Sequence, residues 1–355
     1  MVRVWVVCAA LLAGLVVGVG GAAAASGPTG SFTLDNGATM TADGFVSIQY
    51  QAGGPSPISL VYVSNSSQTT SQGLLACGGQ WPYGQTIATW SLTQAGCAPS
   101  TADGPKTVYA QFVDSQGNLS PVYQQSILLD TTGPVWTQNP HWGFHTPQAV
   151  SATSAKLDAS WATTDLTTVT ANAHLSTDAG ATWMPAPVAS PQASTFTVTA
   201  PYQTPLETKV SPADAVGNYS IPDTLTVSAY PQLFDQTASG SITWAGGWKL
   251  NTATGYIGGS DKSASKAGAT ATFTFSGKAV SFVTTTGPLR GAVNLTVDGT
   301  SLGSVDLYSA KAHKRQVVWS HTFPTNVNTI HTLTLTAAGT AGRPRIDVDA
   351  FLVAV

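Results

Sequence analysis

The segment Asp114-Ser115-Gln116-Gly117-Asn118-Leu119-Ser120 recurs as Asp214-Ala215-Val216-Gly217-Asn218-Tyr219-Ser220, offset by 100 residues. That offset is about the length of one small β-sandwich domain, so the first two-thirds of the chain reads as two copies of a similar module. Each copy carries the same punctuation. An Asp can bond its own backbone two residues on, and a Gly supplies the positive φ that closes a turn.

The strands around these turns follow a period of two. In Val108-Tyr109-Ala110-Gln111-Phe112 the apolar positions alternate with polar ones, as they do in Val293-Asn294-Leu295-Thr296-Val297. Asp298-Gly299 after the second run supplies the two-residue hairpin turn that needs φ > 0. Leu333 and Leu335 alternate with threonine in a further strand. Helical periodicity is absent beyond the N-terminal apolar run, and the fold class is all-β. Charged residues are only 9% of the chain, against a usual value near 25%. Hydrophobic residues are a normal 43%, which excludes a disordered chain.

Arg3 is the only charge ahead of the apolar run from Val4 to Val19, and Ala22 to Ala25 offer small-residue cleavage sites. Residues 1–25 therefore read as a secretory signal peptide, with retention as an N-terminal anchor as the alternative. The protein is expected to be secreted, extracellular or at a cell surface. No later stretch has the length of a membrane span. Export leaves Cys77 and Cys97, an isolated pair that reads as one disulfide in an oxidising compartment.

Boundaries follow the Pro and Gly punctuation. Thr131-Thr132-Gly133-Pro134 closes the first module and Pro231 follows the last strand of the second. The expected domains are 26–132, 133–230 and 231–355, joined by short, semi-rigid connections. Charge divides them: residues 26–230 hold three lysines against eleven acids, whereas 231–355 hold ten Lys and Arg against six Asp.

Residues 103–132, with Asp103-Gly104-Pro105-Lys106 leading through the Asp114 turn to Leu129-Asp130-Thr131-Thr132-Gly133-Pro134, resemble bacterial immunoglobulin-like repeats of secreted proteins. The second module resembles immunoglobulin-like or fibronectin-like repeats more loosely. The last 125 residues resemble the galactose-binding-like, jelly-roll sandwiches appended to bacterial extracellular proteins. That resemblance runs through Ala245-Gly246-Gly247-Trp248, Gly287-Pro288-Leu289-Arg290-Gly291, Val297-Asp298-Gly299 and Ile346-Asp347-Val348-Asp349-Ala350-Phe351. It implies carbohydrate binding and a structural Ca²⁺ near the last strand, for which Asp347, Asp349 and Asp235 are the available carboxylates. Arg343 and Arg345 lie close enough to neutralise the pair. No other cofactor is expected.

Four motifs carry less than they suggest. Ser176-Thr177-Asp178-Ala179-Gly180-Ala181-Thr182-Trp183 fits an Asp-box, but a propeller would repeat it, and a single copy reads as a hairpin. Gly299-Thr300-Ser301-Leu302-Gly303 fits a nucleophile elbow, yet it joins two strands instead of a strand and a helix. His141 and His145, four apart, are flanked by Pro140 and Pro147, so an aromatic loop at the junction of the first two modules is expected. Asp347 and Asp349 are expected on one face of a continuous last strand.

Glu207 is the single glutamate, and no facing carboxylate pair or nucleophile–base set emerges, so the chain reads as non-enzymatic. Sugar recognition needs a flat aromatic and fixed hydrogen-bonding groups. Tyr256, Arg290, Trp244 and Tyr308 are the expected ligand contacts, with Trp248 and Trp319 assigned to the core. The expected partner is a polysaccharide or cell-wall glycan, with nucleic acid excluded by the small basic excess. A structural or adhesive surface protein, or an accessory to an extracellular hydrolase, is the alternative.

Overall fold

Each of the two Asp turns folds around its own carboxylate. In the computed structural model, which describes residues 27–94, 100–324 and 327–355, Asp114 Oδ1 accepts the N–H groups of Gln116 and Asn118 at 2.9 and 2.8 Å. Its Oδ2 accepts the Asn118 side-chain amide at 2.9 Å. Asp214 repeats the pattern with Val216, Gly217 and Asn218 at 2.9, 2.7 and 2.8 Å, and with the Asn218 amide at 2.7 Å. Gly117 and Gly217 take φ of 83° and 97°, the left-handed region that a side chain disfavours. The copies differ in detail: Asp214 Oδ1 also accepts Gly217 N–H, and one backbone-to-serine bond is missing from the second copy. Phe112 N–H donates to Ser120 Oγ at 2.9 Å; the equivalent position is Pro212, which has no N–H, while both serines donate to a following proline carbonyl, Ser120 to Pro121 and Ser220 to Pro222.

The chain forms two units, Met1–Leu129 and Asp130–Val355. The first is a two-sheet sandwich. One sheet orders Thr29–Leu34, Phe45–Gly53 and Ile87–Ser91. The other orders Met40–Thr41, Tyr123–Leu129, Gly104–Asp114, Ile58–Ser64 and Gly78–Pro82. Phe32, Leu34, Val46 and Ile48 from the first sheet join Val61, Val63, Val108, Ala110 and Phe112 from the second in one core, as the alternation required. Cys77 stands just before the strand Gly78–Pro82. Its expected partner Cys97 lies outside the described residues, as does the apolar segment 1–25.

The second unit holds the other two expected modules. The first of them places Thr195–Pro201, Ser154–Thr164 and Val135–Phe144 in one sheet. Met184–Pro185, Thr170–Ser176, Leu206–Ala213 and Leu225–Ala229 form its other sheet. The next has a five-stranded sheet of Gln148–Ala149, His313–Thr322, Ala279–Thr286, Ala350–Ala354 and Pro231–Asp235. Facing it are Ile242–Ala245, Thr270–Gly277, Thr329–Ala337, Ala292–Val297 and Thr300–Asp306, with a small third sheet of Lys249–Thr252, Ser260–Ala264 and Ile346–Val348. Stacked Phe273 and Phe351, with ring centroids 4.5 Å apart, lie in this core.

These two modules are not beads on a tether. Pro231 opens a strand instead of a linker. Tyr230 and Val355 exchange backbone bonds at the same point. Gln148–Ala149, from the earlier module, is hydrogen-bonded to His313–Thr322 of the later one. One continuous buried cluster contains Trp142, Phe144 and Leu157 together with Ile257, Val283, Val317 and Leu352. The stretch His141 to Phe144 is accordingly strand rather than loop, with Trp142 and Phe144 in the core and the later module as neighbour. His145 Nδ1 meets the Asp158 carboxylate at 3.0 Å. Local pattern shows that an aromatic is apolar, not which module it will bury against.

Two turns match their sequence reading. Ser176 to Trp183 is a hairpin in which Asp178 accepts Thr182 N–H at 2.9 Å and Ser176 Oγ–H at 2.7 Å. Asp298 and Gly299, at φ 51° and 80°, join strands whose ends pair Val297 with Thr300. The last strand does not match. Ile346–Val348 pairs with Ser260–Ala264, and Ala350–Ala354 pairs with Pro231–Asp235 and Ala279–Thr286, so the chain crosses between sheets at Asp349. Every residue from Ile346 to Ala354 is buried, and alternation cannot mark a break where both faces are covered. Among the described residues no helix is long and apolar enough to cross a membrane.

Candidate functional site

The loops at one end of the later module converge on Asp347. Gly287 N–H donates to the Leu307 carbonyl, Leu307 N–H to Gly291, and Gly291 N–H to Arg345. Arg290 and Arg345 form an isolated parallel bridge. Gly291 allows this approach, since a Cβ there would stand 2.1 Å from the Arg343 carbonyl oxygen.

Asp347 is fully buried. Arg290 Nε donates to its Oδ2 at 2.5 Å, and Arg345 donates Nε and Nη2 to Oδ1 at 2.9 and 2.6 Å. Thr284 Oγ1 holds its carbonyl at 2.6 Å. A carboxylate removed from water needs such partners. Asp261 and Asp349 share the interior, and among the described residues neither is in a salt bridge with an arginine. Asn251 donates to Asp261 Oδ1 at 2.8 Å and Ile257 N–H to Asp349 Oδ1 at 2.8 Å, while the second oxygen of each is buried without a hydrogen bond. Burial pushes Asp349 up to about 7, opposed by the Ile257 bond and reinforced by Asp261. Burial likewise lifts Asp261 to about 6, against the Asn251 bond and with the Asp347 charge adding to it.

The expected ligand contacts divide. Tyr256 and Arg290 do come to one neighbourhood, but as scaffold. Tyr256 is buried, with Lys314 Nζ 3.9 Å from its ring centroid, and Arg315 ties down this loop through the carbonyls of Thr254, Gly255 and Tyr256. The Arg290 guanidinium is turned inward onto Asp347, and its side chain is only 13% exposed. Trp244 is half-buried on the core against Trp248, with Lys262 above it at 4.3 Å. Tyr308 alone of the four stands open, at 55% exposure.

Beside Tyr308 is a pair that sequence reasoning missed. Arg343 donates Nη1 and Nη2 to the two oxygens of Asp306 at 2.9 and 3.0 Å, and Nη1 also reaches the Arg290 carbonyl at 2.6 Å. The guanidinium lies 4.9 Å from the Tyr308 ring centroid, and Tyr308 N–H donates to Asp306 Oδ1. The Arg343 bond holds Asp306 below the usual carboxylate range. The only sequence signal was the Asp306-Leu307-Tyr308 turn, since Arg343 is 37 residues away.

The expected calcium set does not assemble. Both oxygens of Asp347 are held by arginine, and Asp235 Oδ1 serves Thr237. Among the described residues, Asp130, Asp165 and Asp214 bring three carboxylates within 4.8 Å. The Asp214 oxygens there already accept four hydrogen bonds from the turn.

No protein-family model matches the chain, and no curated protein matches it. Among solved structures it is similar to fibronectin(III)-like modules of Clostridium thermocellum CbhA, at 16% identity over 56% of this chain and 92% of that one, TM-score 0.28. It is also similar to an exo-beta-1,3-galactanase from Phanerochaete chrysosporium with galactose, at 10% identity over 92% and 81%, TM-score 0.28. A two-domain esterase active on acetylated mannans matches at 13% identity over 35% and 37%, TM-score 0.27. The chain spans 37% of that esterase and 27% of the Agl-KA catalytic domain, another similar structure. Likenesses at these TM-scores carry neither an activity nor a ligand to this chain.

Proposed function

We propose that this is an exported, non-catalytic glycan-binding protein, in which Asp130–Val355 carries the contact surface and the first sandwich is a spacer. The observation that carries this reading is Tyr308 with its fixed backing. An exposed aromatic ring offers a face to the C–H side of a sugar, and nearby donors held in one geometry lose little entropy on meeting hydroxyls. Three of the five Arg343 N–H groups are occupied by Asp306 and Arg290, which leaves two for a ligand.

The acids support a non-catalytic role. Glycoside hydrolysis ordinarily uses two facing carboxyl groups, one with a raised pKa. The acids raised here, Asp261 and Asp349, are fully buried, beyond reach of a substrate. Among the described residues, the cavities of about 660, 520 and 430 Å³ have no acid in their walls.

Retention of the full chain on a panel of neutral and acidic polysaccharides tests the reading. Tyr308→Ala and Arg343→Ala are each expected to weaken retention about ten-fold, the loss of one good contact. If the native chain is retained on none of them, the reading is wrong and an adhesive role, with self-association or protein capture, replaces it.

A further inference from the structure

A groove of about 660 Å³ lies within the second unit, between the N-terminal half of Val135–Phe144 and the end of His313–Thr322. The backbone makes it in two steps. Val135–Phe144 is the edge strand of its sheet, and its pairing with Ser154–Thr164 slips register twice between Ser160 and Thr163. Such bulges bend and twist a strand. Pro140, Trp142 and Phe144 are therefore buried while Thr137, Gln138 and Asn139 are exposed. On the opposite wall Thr322 Oγ1 comes within 2.7 Å of where a Gly143 Cβ would be, so the missing side chain lets the walls meet. Phe323 is fixed by parallel stacking on His331 at 3.5 Å.

The walls are polar but uncharged. Trp136, half-buried, presents an indole whose Nε1 is anchored to the Pro222 carbonyl at 3.1 Å. The side chains of Gln138, Asn139 and Thr322 make no hydrogen bond to the protein among the described residues, and His141 uses only Nδ1, 3.2 Å from the Asn139 carbonyl. Among the described residues no Asp, Glu, Lys or Arg lines the groove. An anionic or cationic ligand would find no counter-charge there. Amides, hydroxyl and imidazole each offer donors and acceptors, the match for a ligand whose hydroxyls are both. The volume falls in the ~300–1,000 Å³ class of ligand clefts.

The geometry points to this groove as a binding site for a neutral oligosaccharide, stacked on Trp136 and hydrogen-bonded by Gln138, Asn139, His141 and Thr322. The site is distinct from Tyr308 and is built jointly by the two modules of the second unit. It rests on the glycan-binding reading above and adds the ligand's charge class and a second contact surface.

The test is isothermal titration of the full chain with soluble neutral gluco-, manno- and galacto-oligosaccharides of four to six units, followed by tryptophan fluorescence. At least one is expected to bind, with affinity falling about ten-fold or more in Trp136→Ala and in the double variant Gln138→Ala/Asn139→Ala, and unchanged in Tyr308→Ala at this site. The double variant alters only exposed side chains, so it keeps the test valid if Trp136→Ala loses its fold. Binding that both groove variants retain and Tyr308→Ala removes overturns the groove alone. No binding of any of these sugars overturns the groove and removes neutral glycans from the broader reading. Binding of an extended peptide along the open strand edge, with no sugar bound, also overturns it.

Discussion

Tyr230 and Val355 exchange two backbone hydrogen bonds, of 2.9 and 3.1 Å, at the seam where a separable boundary was expected. The seam is closed by side chains as well, because Ile257, Val283, Val317 and Leu352 share a cluster with Trp142 and Phe144. Residues 231–355 alone would return part of that cluster to water. Each Val, Leu or Ile side chain so exposed costs about 1.5–3 kcal/mol. Chemical denaturation is expected to find residues 231–355 several kcal/mol less stable than residues 130–355. Equal stability of the two would show that the shared cluster contributes nothing.

Asp347 is expected to be the most sensitive charged position in this unit. Asp347→Asn leaves Arg290 and Arg345 with no carboxylate between them, and breaking a buried pair from one side costs roughly 3–5 kcal/mol. A urea midpoint close to that of the native protein would contradict this.

Acid residues give the second unit an unusual pH response. Asp349 and Asp261 are raised to about 7 and about 6, so the folded state holds protons that the unfolded chain releases near pH 4. Their contribution to stability is complete below the unfolded pKa and is lost as pH rises through the folded values. The melting temperature is expected to fall between about pH 4 and pH 7, and Asp349→Asn is expected to flatten that fall. A profile with the same slope in the variant would place the titration elsewhere.

Gly291→Ala puts a Cβ 2.1 Å from the Arg343 carbonyl oxygen. The loops must separate, at a cost typical of overpacking, about 1–3 kcal/mol. Because Arg343 also donates to the Arg290 carbonyl, the variant is expected to weaken sugar retention through Tyr308 along with stability. Unchanged thermal melting together with unchanged retention would show that the loops are slack.

Trp136→Phe separates ring from hydrogen bond in the groove. It keeps an aromatic face and loses the Nε1 bond to Pro222, a net loss of about 1 kcal/mol in stability. Retained sugar affinity with lowered stability is the expected result, and loss of affinity with unchanged melting would reverse the assignment of roles.

What the sequence determined on its own was local. Asp114 and Asp214 dictate their turns because each carboxylate is satisfied within four residues, and Asp298-Gly299 dictates a hairpin because both residues take the positive φ that the turn needs. The all-β class follows from period-two runs such as Val293 to Val297, whose neighbours need not be known. Tertiary structure decided everything that depends on distant partners. Tyr256 was legible as a loop aromatic, yet it is buried, with the Lys314 ammonium over its ring and Arg315 tying down its loop. Asp306 and Arg343 become a pair only when two loops meet, and Trp136 becomes a wall only when the later module supplies Thr322 and Phe323. A turn closes on atoms a few bonds away, whereas burial and charge pairing are fixed by whichever segments the sheets bring together.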